Sequence, residues 1–200
     1  MRVIESSELI INNDGSIFHL HILPQELADT VILVGDPGRV DTVASHFQTR
    51  EFRRSSREFV TITGTYKGKR MTVLSTGIGT DNIDIVMNEL DALVNIDLRK
   101  RVVKPEHKTL TILRIGTSGA IQKDIPLGAF VLSDISIGFD GLLNWYDGRN
   151  NVCDREMEQA FTEHACWPDT LAAPYFIPSG RRLIEIMSDF TQKGITISAP

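Results

Sequence analysis

Arg114-Ile115-Gly116-Thr117-Ser118-Gly119-Ala120 is the stretch that decides how this 200-residue chain folds. It closes a β-branched run, Thr109 to Ile115, so a strand is predicted to end in a turn of glycines and hydroxyl side chains. Such a turn can direct several backbone N–H groups into one concavity, which suits an oxyanion. The Arg114 guanidinium adds a planar set of donors that matches phosphate geometry. The stretch therefore predicts a phosphate site at the end of a strand.

Two earlier segments have a related form, in which an apolar strand is followed by a glycine turn and a helix. Val31 to Val34 leads into Gly35-Asp-Pro-Gly-Arg39, whose Asp is expected to cap a helix and whose Pro is expected to be its first residue. Arg70 to Ser75 leads into Thr76-Gly-Ile-Gly-Thr80, which opens an amphipathic helix. Helix N-termini offer free N–H groups to an anion. We therefore expect the three junctions to converge on one anion.

Strands and helices alternate along most of the chain, which is typical of a layered α/β fold. Glu58 to Tyr66 and Arg70 to Ser75 form a predicted hairpin, so the central sheet is expected to be mixed and flanked by helices. Other segments are predicted from their local pattern: strands at Thr109–Ile115, Ala129–Ser136 and Ile195–Ser198, helices at Glu156–Phe161 and Gly180–Lys193, a solvated connector at Asp97–Lys108 and an otherwise irregular stretch at Gly138–Pro174.

Composition limits the classes of protein to consider. With 42% hydrophobic and 24% charged residues, the chain has the make-up of a soluble globular domain. A formal net charge of -5 argues against nucleic acid as a partner. No apolar run approaches the ~20 residues of a membrane helix. Cys153 and Cys166 form no metal or redox spacing. We expect a cytoplasmic protein with no membrane partner and no bound metal.

Four segments together resemble the nucleoside phosphorylases of the uridine phosphorylase branch, which are related to the hexameric purine nucleoside phosphorylases. The segments are Phe18-His-Leu20, Gly35-Asp-Pro-Gly-Arg-Val40, Ser75-Thr-Gly-Ile-Gly79 and Arg114-Ile-Gly-Thr-Ser-Gly-Ala120. The resemblance implies a three-layer phosphorylase/hydrolase-like fold and a single domain over residues 1–200. Because Ile195 to Pro200 reads like a strand entering an active-site loop, we expect this domain to lack its C-terminal part.

The resemblance also implies roles for individual residues. Five would bind phosphate: Gly35, Arg39, Arg57, Arg114 and Thr117. Five would line the nucleoside pocket: Phe18, His19, Thr117, Ser118 and Gly119. Arg39 and Arg114 would also be the catalytic groups. In family members, the residues that match Phe18, His19 and Arg57 come from a neighbouring subunit. The resemblance therefore implies a homodimer or a hexamer with shared active sites.

No organic cofactor is implied, since inorganic phosphate is the co-substrate. Some family members hold a monovalent cation between subunits near the positions of Glu58, Ile78 and Asn82, and Asn82 stands where serine is usual.

The long connector 97–108 and the insert 141–174 depart from the shorter bacterial enzymes.

The implied reaction is phosphorolysis of uridine, or of a related nucleoside, to free base and ribose 1-phosphate. Phosphate is then the nucleophile, so the enzyme needs positioning and electrostatic stabilisation rather than a serine or cysteine nucleophile. Three alternatives remain open: a purine nucleoside phosphorylase, a nucleosidase of the same fold that uses water, and a non-catalytic nucleoside-binding protein. The arginine set counts against the nucleosidase. Base-reading and ribose-binding residues are expected beyond Pro200.

Overall fold

A computed structural model describes residues 2–192 of the chain, with side chains described for residues 2–188. The predicted strand Ile195–Ser198 lies outside these residues. Contacts divide the chain into two compact units, an N-terminal unit that ends at Ser118 and a C-terminal unit that begins at Gly119. Within residues 2–192, no helix is both long and apolar enough to cross a membrane.

The N-terminal unit is built on a mixed five-stranded sheet. Its elements are β1 (Thr30–Val34), α1 (Gly38–Ala44), β2 (Thr49–Ser56), β3 (Phe59–Tyr66), β4 (Lys69–Ser75), α2 (Thr80–Asn95), β5 (Ile96–Asp97), β6 (Val102–Val103) and β7 (Thr111–Ile115). The strand order is β2-β3-β4-β1-β7. Strand β1 pairs in parallel with β4 and β7, whereas β3 pairs antiparallel with β2 and β4. The mixed α/β architecture expected from the sequence is confirmed.

Alternate side chains of β1 place α1 and α2 on opposite faces of the sheet. Val31 and Leu33 belong to a buried cluster that includes the apolar side of α2. Val34 belongs to a second buried cluster, which includes Val40 and Ala44 of α1. The N-terminal unit is therefore a helix–sheet–helix sandwich, and its sheet is covered by a helix on each side.

Two segments of this unit differ from the expectation. The predicted connector 97–108 contains the short antiparallel pair β5–β6 and the buried Leu98. It is not simply solvated, because the Arg101 guanidinium donates to the Ile4 and Glu5 carbonyl oxygens at 2.8 Å each. The sequence analysis also missed β2, whose eight residues include three arginines and a glutamate. Charged residues suit an exposed edge strand, so no apolar run marked it.

The described part of the C-terminal unit contains a short pair of antiparallel strands and three α-helices. Its elements are β8 (Ile135–Gly138), α3 (Arg149–Val152), α4 (Arg155–His164), β9 (Tyr175–Pro178) and α5 (Arg181–Gln192). Strand β8 pairs antiparallel with β9. The prediction of a strand over Ala129–Ser136 was wrong for most of that range, because residues 129–134 are exposed and unpaired with any strand of the described chain. The helix predicted over Glu156–Phe161 is confirmed as part of α4.

Candidate functional site

The carboxyl ends of β4, β1 and β7 lie at one edge of the sheet. Val34, the last residue of β1, is in register with Ser75 of β4 and with Ile115 of β7, so the three parallel strands end level. Each strand is followed at once by one of the three predicted junctions. Ligands of open α/β sheets bind outside the carboxyl ends of the strands, which makes this edge the candidate site.

The junction after β1 and the Arg114 side chain are brought together here. The Gly77 N–H donates to the Gly35 carbonyl oxygen at 3.0 Å, which ties the junction after β4 to the junction after β1. A Cβ placed on Gly35 would lie 3.8 Å from Arg114 Nη2. The guanidinium therefore lies beside the backbone of Gly35, although the two residues are far apart in sequence.

Gly116 has no side chain, and the Arg114 guanidinium occupies the space that one would fill. A Cβ placed on Gly116 would come within 2.5 Å of Arg114 Nη1 and 3.5 Å of Arg114 Cζ. No side chain could stand there without moving the arginine. The glycine that ends β7 therefore permits the position of Arg114 over the sheet edge.

Arg39 lies in the first turn of α1, which leaves the same sheet edge. The helix is assigned from Gly38, one residue later than predicted, but Pro37 already has helical dihedral angles. Asp36 Oδ1 accepts a hydrogen bond from the Gly38 N–H at 2.8 Å, so Asp36 acts as the predicted cap. The capping holds the start of α1, and with it the backbone of Arg39, a few residues from Gly35.

Neither of these two guanidinium groups is neutralised by the part of the chain whose side chains are described, residues 2–188. The side chains of Arg39 and Arg114 have no hydrogen bond or ion pair there. Arg70, by contrast, donates to Glu51 at 2.7 Å and to the Leu27 carbonyl oxygen at 2.8 Å. Arg114 is exposed because β7 lies at the end of the sheet order. Two uncompensated cations at one edge favour an anionic ligand.

Thr117, Ser118 and Gly119 follow β7 in an exposed stretch without regular structure. A Cβ on Gly119 would meet no atom within 4 Å. The structure places Thr117 three residues after Arg114, at the junction. Their assignment to phosphate and nucleoside binding stays a prediction.

Phe18, His19 and Arg57 form one cluster in the N-terminal unit. The Phe18 and His19 rings meet edge to face, with their centroids 4.7 Å apart. Arg57 Cζ lies 5.8 Å from the centroid of the Phe18 ring, close enough for a cation–π contact. Arg57 has a φ of 53° in the turn between β2 and β3, and its side chain is exposed. The three residues that the resemblance assigns to a neighbouring site are thus neighbours on this chain.

The sequence analysis missed Glu89, which the structure connects to this cluster. Glu89 is 7% exposed in α2, and its carboxylate accepts hydrogen bonds from the His19 N–H and the Leu20 N–H at 2.9 Å each. One signal was available in the sequence. Glu89 lies three residues after Val86 and four before Leu93, on the apolar face of the predicted helix, where a charge needs a partner.

The monovalent cation that the resemblance implies near Glu58, Ile78 and Asn82 stays a prediction. On this chain Asn82 Nδ2 donates a hydrogen bond to the Ile78 carbonyl oxygen at 3.1 Å. Within residues 2–192, no group of three or more His, Cys, Asp or Glu side chains is placed to hold a metal ion.

The two large pKa shifts belong to structural contacts. Hydrogen bonds from the side chain and backbone of Ser16 lower the pKa of Asp14 to about 2. Burial, together with the hydrogen bond that its hydroxyl donates to Asp140, raises the pKa of Tyr175 to about 12. Asp14 fixes the loop before Phe18, and Tyr175 lies in the C-terminal unit.

Comparison with known proteins finds a matching family model and curated relatives. The family model described as the phosphorylase superfamily matches residues 29–196. A uridine phosphorylase of Thermococcus kodakarensis is 31% identical over 141 residues, which cover 70% of this chain and 46% of the relative. A DeoD-type purine nucleoside phosphorylase of Oceanobacillus iheyensis is 34% identical over 116 residues, covering 58% of this chain and 44% of the relative.

A solved structure shows the same fold over nearly the whole chain. The Trypanosoma brucei nucleoside phosphorylase, described as showing uridine phosphorylase activity, superposes with a TM-score of 0.81 at 28% identity. The match covers 96% of this chain and 64% of the trypanosome protein. The chain thus spans about half the length of the curated relatives named above.

Proposed function

Since the chain belongs to the phosphorylase superfamily, we propose that the protein is a nucleoside phosphorylase, a pentosyltransferase that converts uridine or a related nucleoside and phosphate into free base and ribose 1-phosphate. The observation that carries this proposal is the position of Arg114 beside Gly35, at the level ends of three parallel strands. No organic cofactor takes part, because phosphate itself is the second substrate.

The proposed chemistry depends on holding a dianion. A phosphate oxygen forms a bond to the anomeric carbon of the sugar, the glycosidic C–N bond breaks, and the base leaves with the electron pair. Correct orientation of two reactants can lower the barrier by ~7–11 kcal/mol. Arg39 and Arg114 hold and orient the phosphate in this proposal, with the Gly35 N–H and Thr117 as further donors. Loss of one such donor removes ~2.7–4 kcal/mol of transition-state stabilisation.

The nucleoside would be held by a second group of residues. Phe18 and His19, with Thr117, Ser118 and Gly119, line its pocket in this proposal. Phe18, His19 and Arg57 are proposed to act in the site of a neighbouring subunit, in a homodimer or hexamer with shared active sites. Their clustering on one part of the chain, where Arg57 is exposed and Phe18 and His19 are half-buried, supports this arrangement. The proposed location is the cytoplasm, and the proposed process is nucleoside catabolism and salvage.

Uridine is the proposed substrate, and a purine nucleoside is the second candidate. The uridine phosphorylases of Thermococcus kodakarensis and Trypanosoma brucei support the first choice. The purine nucleoside phosphorylase of Oceanobacillus iheyensis, which is 34% identical where it aligns, supports the second. The two substrates are separated by measuring kcat/KM for uridine and for inosine with the same enzyme preparation.

The decisive assay follows base release from uridine and inosine with and without phosphate. Phosphate-dependent release from either nucleoside is the expected result. Release that is undiminished without phosphate would identify a nucleosidase, and nucleoside binding without turnover would identify a binding protein. Arg114→Lys should lower turnover, whereas Arg53→Lys serves as the matched control. Arg53 lies in edge strand β2 and pairs with Asp41 at an exposed position.

A further inference from the structure

Glu89 is a buried carboxylate that the proposed chemistry leaves without a role. It lies 70 residues from His19 in the chain, yet it contacts both the backbone and the ring of that histidine. We infer that Glu89 is a positioning residue, which anchors the turn at Phe18 to Leu20 and holds the proton of His19 on Nδ1. His19 Nε2 is then left as an acceptor for a hydroxyl group of the nucleoside sugar. This inference rests on the proposed function.

The hydrogen bonds of Glu89 decide where the His19 proton lies. Glu89 Oε1 accepts from the His19 N–H at 2.9 Å, and Oε2 accepts from the Leu20 N–H at 2.9 Å. Both oxygens face backbone donors, so the group acts as an ionised carboxylate, which can only accept. His19 Nδ1 lies 2.6 Å from Oε1 and must therefore donate. In a neutral imidazole, a proton on Nδ1 leaves a lone pair on Nε2.

The surroundings hold the imidazole in this orientation. Its ring lies edge to face with Phe18, and the Phe59 ring centroid is 6.5 Å from its own. Glu89 is 7% exposed and shares its helix face with the buried Val86 and Leu90. A buried charge without partners is strongly destabilising. The Glu89 carboxylate is therefore stabilised by its three donors, which are the His19 N–H, the His19 Nδ1–H and the Leu20 N–H. The arrangement fixes a ring in advance of any ligand, which is how a positioning residue acts.

The accessible side of the imidazole defines the chemistry of its ligand. The His19 side chain is 28% exposed, and Nε2 has no hydrogen-bond partner among the side chains described, residues 2–188. A single acceptor beside the apolar Phe18 ring suits a hydroxyl donor on a mostly apolar ligand face. In a nucleoside, the 5′-hydroxyl is the donor farthest from the bond that breaks. It can be removed without changing the reaction.

Substitution of Glu89 by its amide separates this role from general packing. In Glu89→Gln, either orientation of the amide turns its NH2 group toward a backbone N–H. In the wild type, that N–H donates a hydrogen bond to the carboxylate. The turn should loosen and the His19 proton should no longer be fixed on Nδ1. We expect kcat/KM for uridine to fall ~10-fold, mainly through KM, as for the loss of one hydrogen bond between neutral groups. For 5′-deoxyuridine, which lacks the hydroxyl, kcat/KM should change by less than ~3-fold.

Asp91→Asn is the matched control, because it removes the same charge from an exposed position of the same helix. Asp91 Oδ1 accepts from Asn95 Nδ2 at 2.7 Å, a bond that an asparagine oxygen can keep. This variant should treat uridine and 5′-deoxyuridine as the wild type does. Glu89→Gln should cause a smaller loss with uridine in the His19→Ala background than in the wild type, since the part of its effect that acts through the His19 ring is already gone.

A spectroscopic measurement tests the inference even where a variant folds poorly or no turnover is found. Long-range proton–nitrogen NMR of the wild-type protein at alkaline pH, where an imidazole is neutral, should show the Nδ1–H tautomer of His19. An Nε2–H tautomer would overturn the inference, as would equal losses for uridine and 5′-deoxyuridine in Glu89→Gln. Failure of the wild type to turn over any nucleoside would overturn the proposed function instead, and the hydroxyl-binding role with it, while the tautomer still decides what Glu89 does to His19.

Discussion

Gly116→Ala tests whether the position of Arg114, rather than its charge alone, matters to the reaction. Gly116 does not have a positive φ, so its backbone accepts alanine without conformational strain. The new methyl group would lie 2.5 Å from Arg114 Nη1, whereas ordinary contact begins at 3.4 Å. The guanidinium must therefore move by roughly 0.9 Å, because it is the mobile partner and the strand backbone is paired.

The size of the effect follows from this displacement. A misplacement of about 1 Å can lower the rate about a hundredfold, equivalent to ~2.7 kcal/mol of transition-state stabilisation. We expect kcat/KM for phosphate to fall by that factor, measured from initial rates of base release at saturating uridine. The KM for uridine should change little, because Arg114 is proposed to hold phosphate and not the nucleoside.

Gly180→Ala provides the matched control for this substitution. A Cβ at Gly180 would meet no atom within 4 Å, and its φ is not positive, so this variant should retain wild-type kinetics. The reasoning is refuted by a Gly116→Ala enzyme whose kcat/KM for phosphate stays within ~3-fold of the wild type. It is equally refuted by a loss of the same size in Gly180→Ala.

Three further predictions concern stability. In Gly64→Ala the new Cβ would lie 2.1 Å from the Thr49 carbonyl oxygen of the neighbouring strand. The free energy of unfolding, measured by denaturant titration, should therefore fall by ~1–3 kcal/mol. An unchanged midpoint would contradict the β2–β3 register. Arg149→Met removes one of the two guanidinium groups that donate to the buried Glu158 carboxylate, while Arg155 remains. Thermal unfolding should therefore occur at a lower temperature, corresponding to ~1.5–3 kcal/mol, and a wild-type transition would show that Arg149 is dispensable. The pKa of Asp14 is lowered from 3.8 to about 2, so its stabilising contribution is present above pH 3.8 and is lost as the pH falls through 2. Asp14→Asn should therefore show a smaller fall in melting temperature between pH 3.8 and pH 2 than the wild type. Parallel pH profiles for the two proteins would contradict this prediction.

The strand ends of the site could be predicted because their signals are local. The three signals are short apolar or β-branched runs that lead into a turn containing glycine, and the structure has a strand in each range: Val31 to Val34, Arg70 to Ser75 and Thr109 to Ile115. Strand β2 was missed because its charged residues suit an exposed edge. The run at Ala129–Ser136 has the composition of a strand, but the ladder with β9 begins only at Ile135.

Local sequence patterns could not predict the contacts between distant parts of the chain. The position of Arg114 beside Gly35 depends on the parallel register that aligns Leu33 with Arg114. The bond between Glu89 and His19 depends on α2 packing against the N-terminal turn. The sequence could supply the residue types for both contacts, and the charge on the apolar face of α2 indicated that Glu89 needed a partner. Only the fold shows which partner it has.

The most direct test of the account is phosphorus NMR of the protein incubated with uridine, or with inosine, and inorganic phosphate. If phosphate bound beside Arg114 attacks the sugar, a sugar 1-phosphate signal should grow in step with the free base, one for one. Release of base together with free ribose, and no new phosphorus signal, would contradict the account.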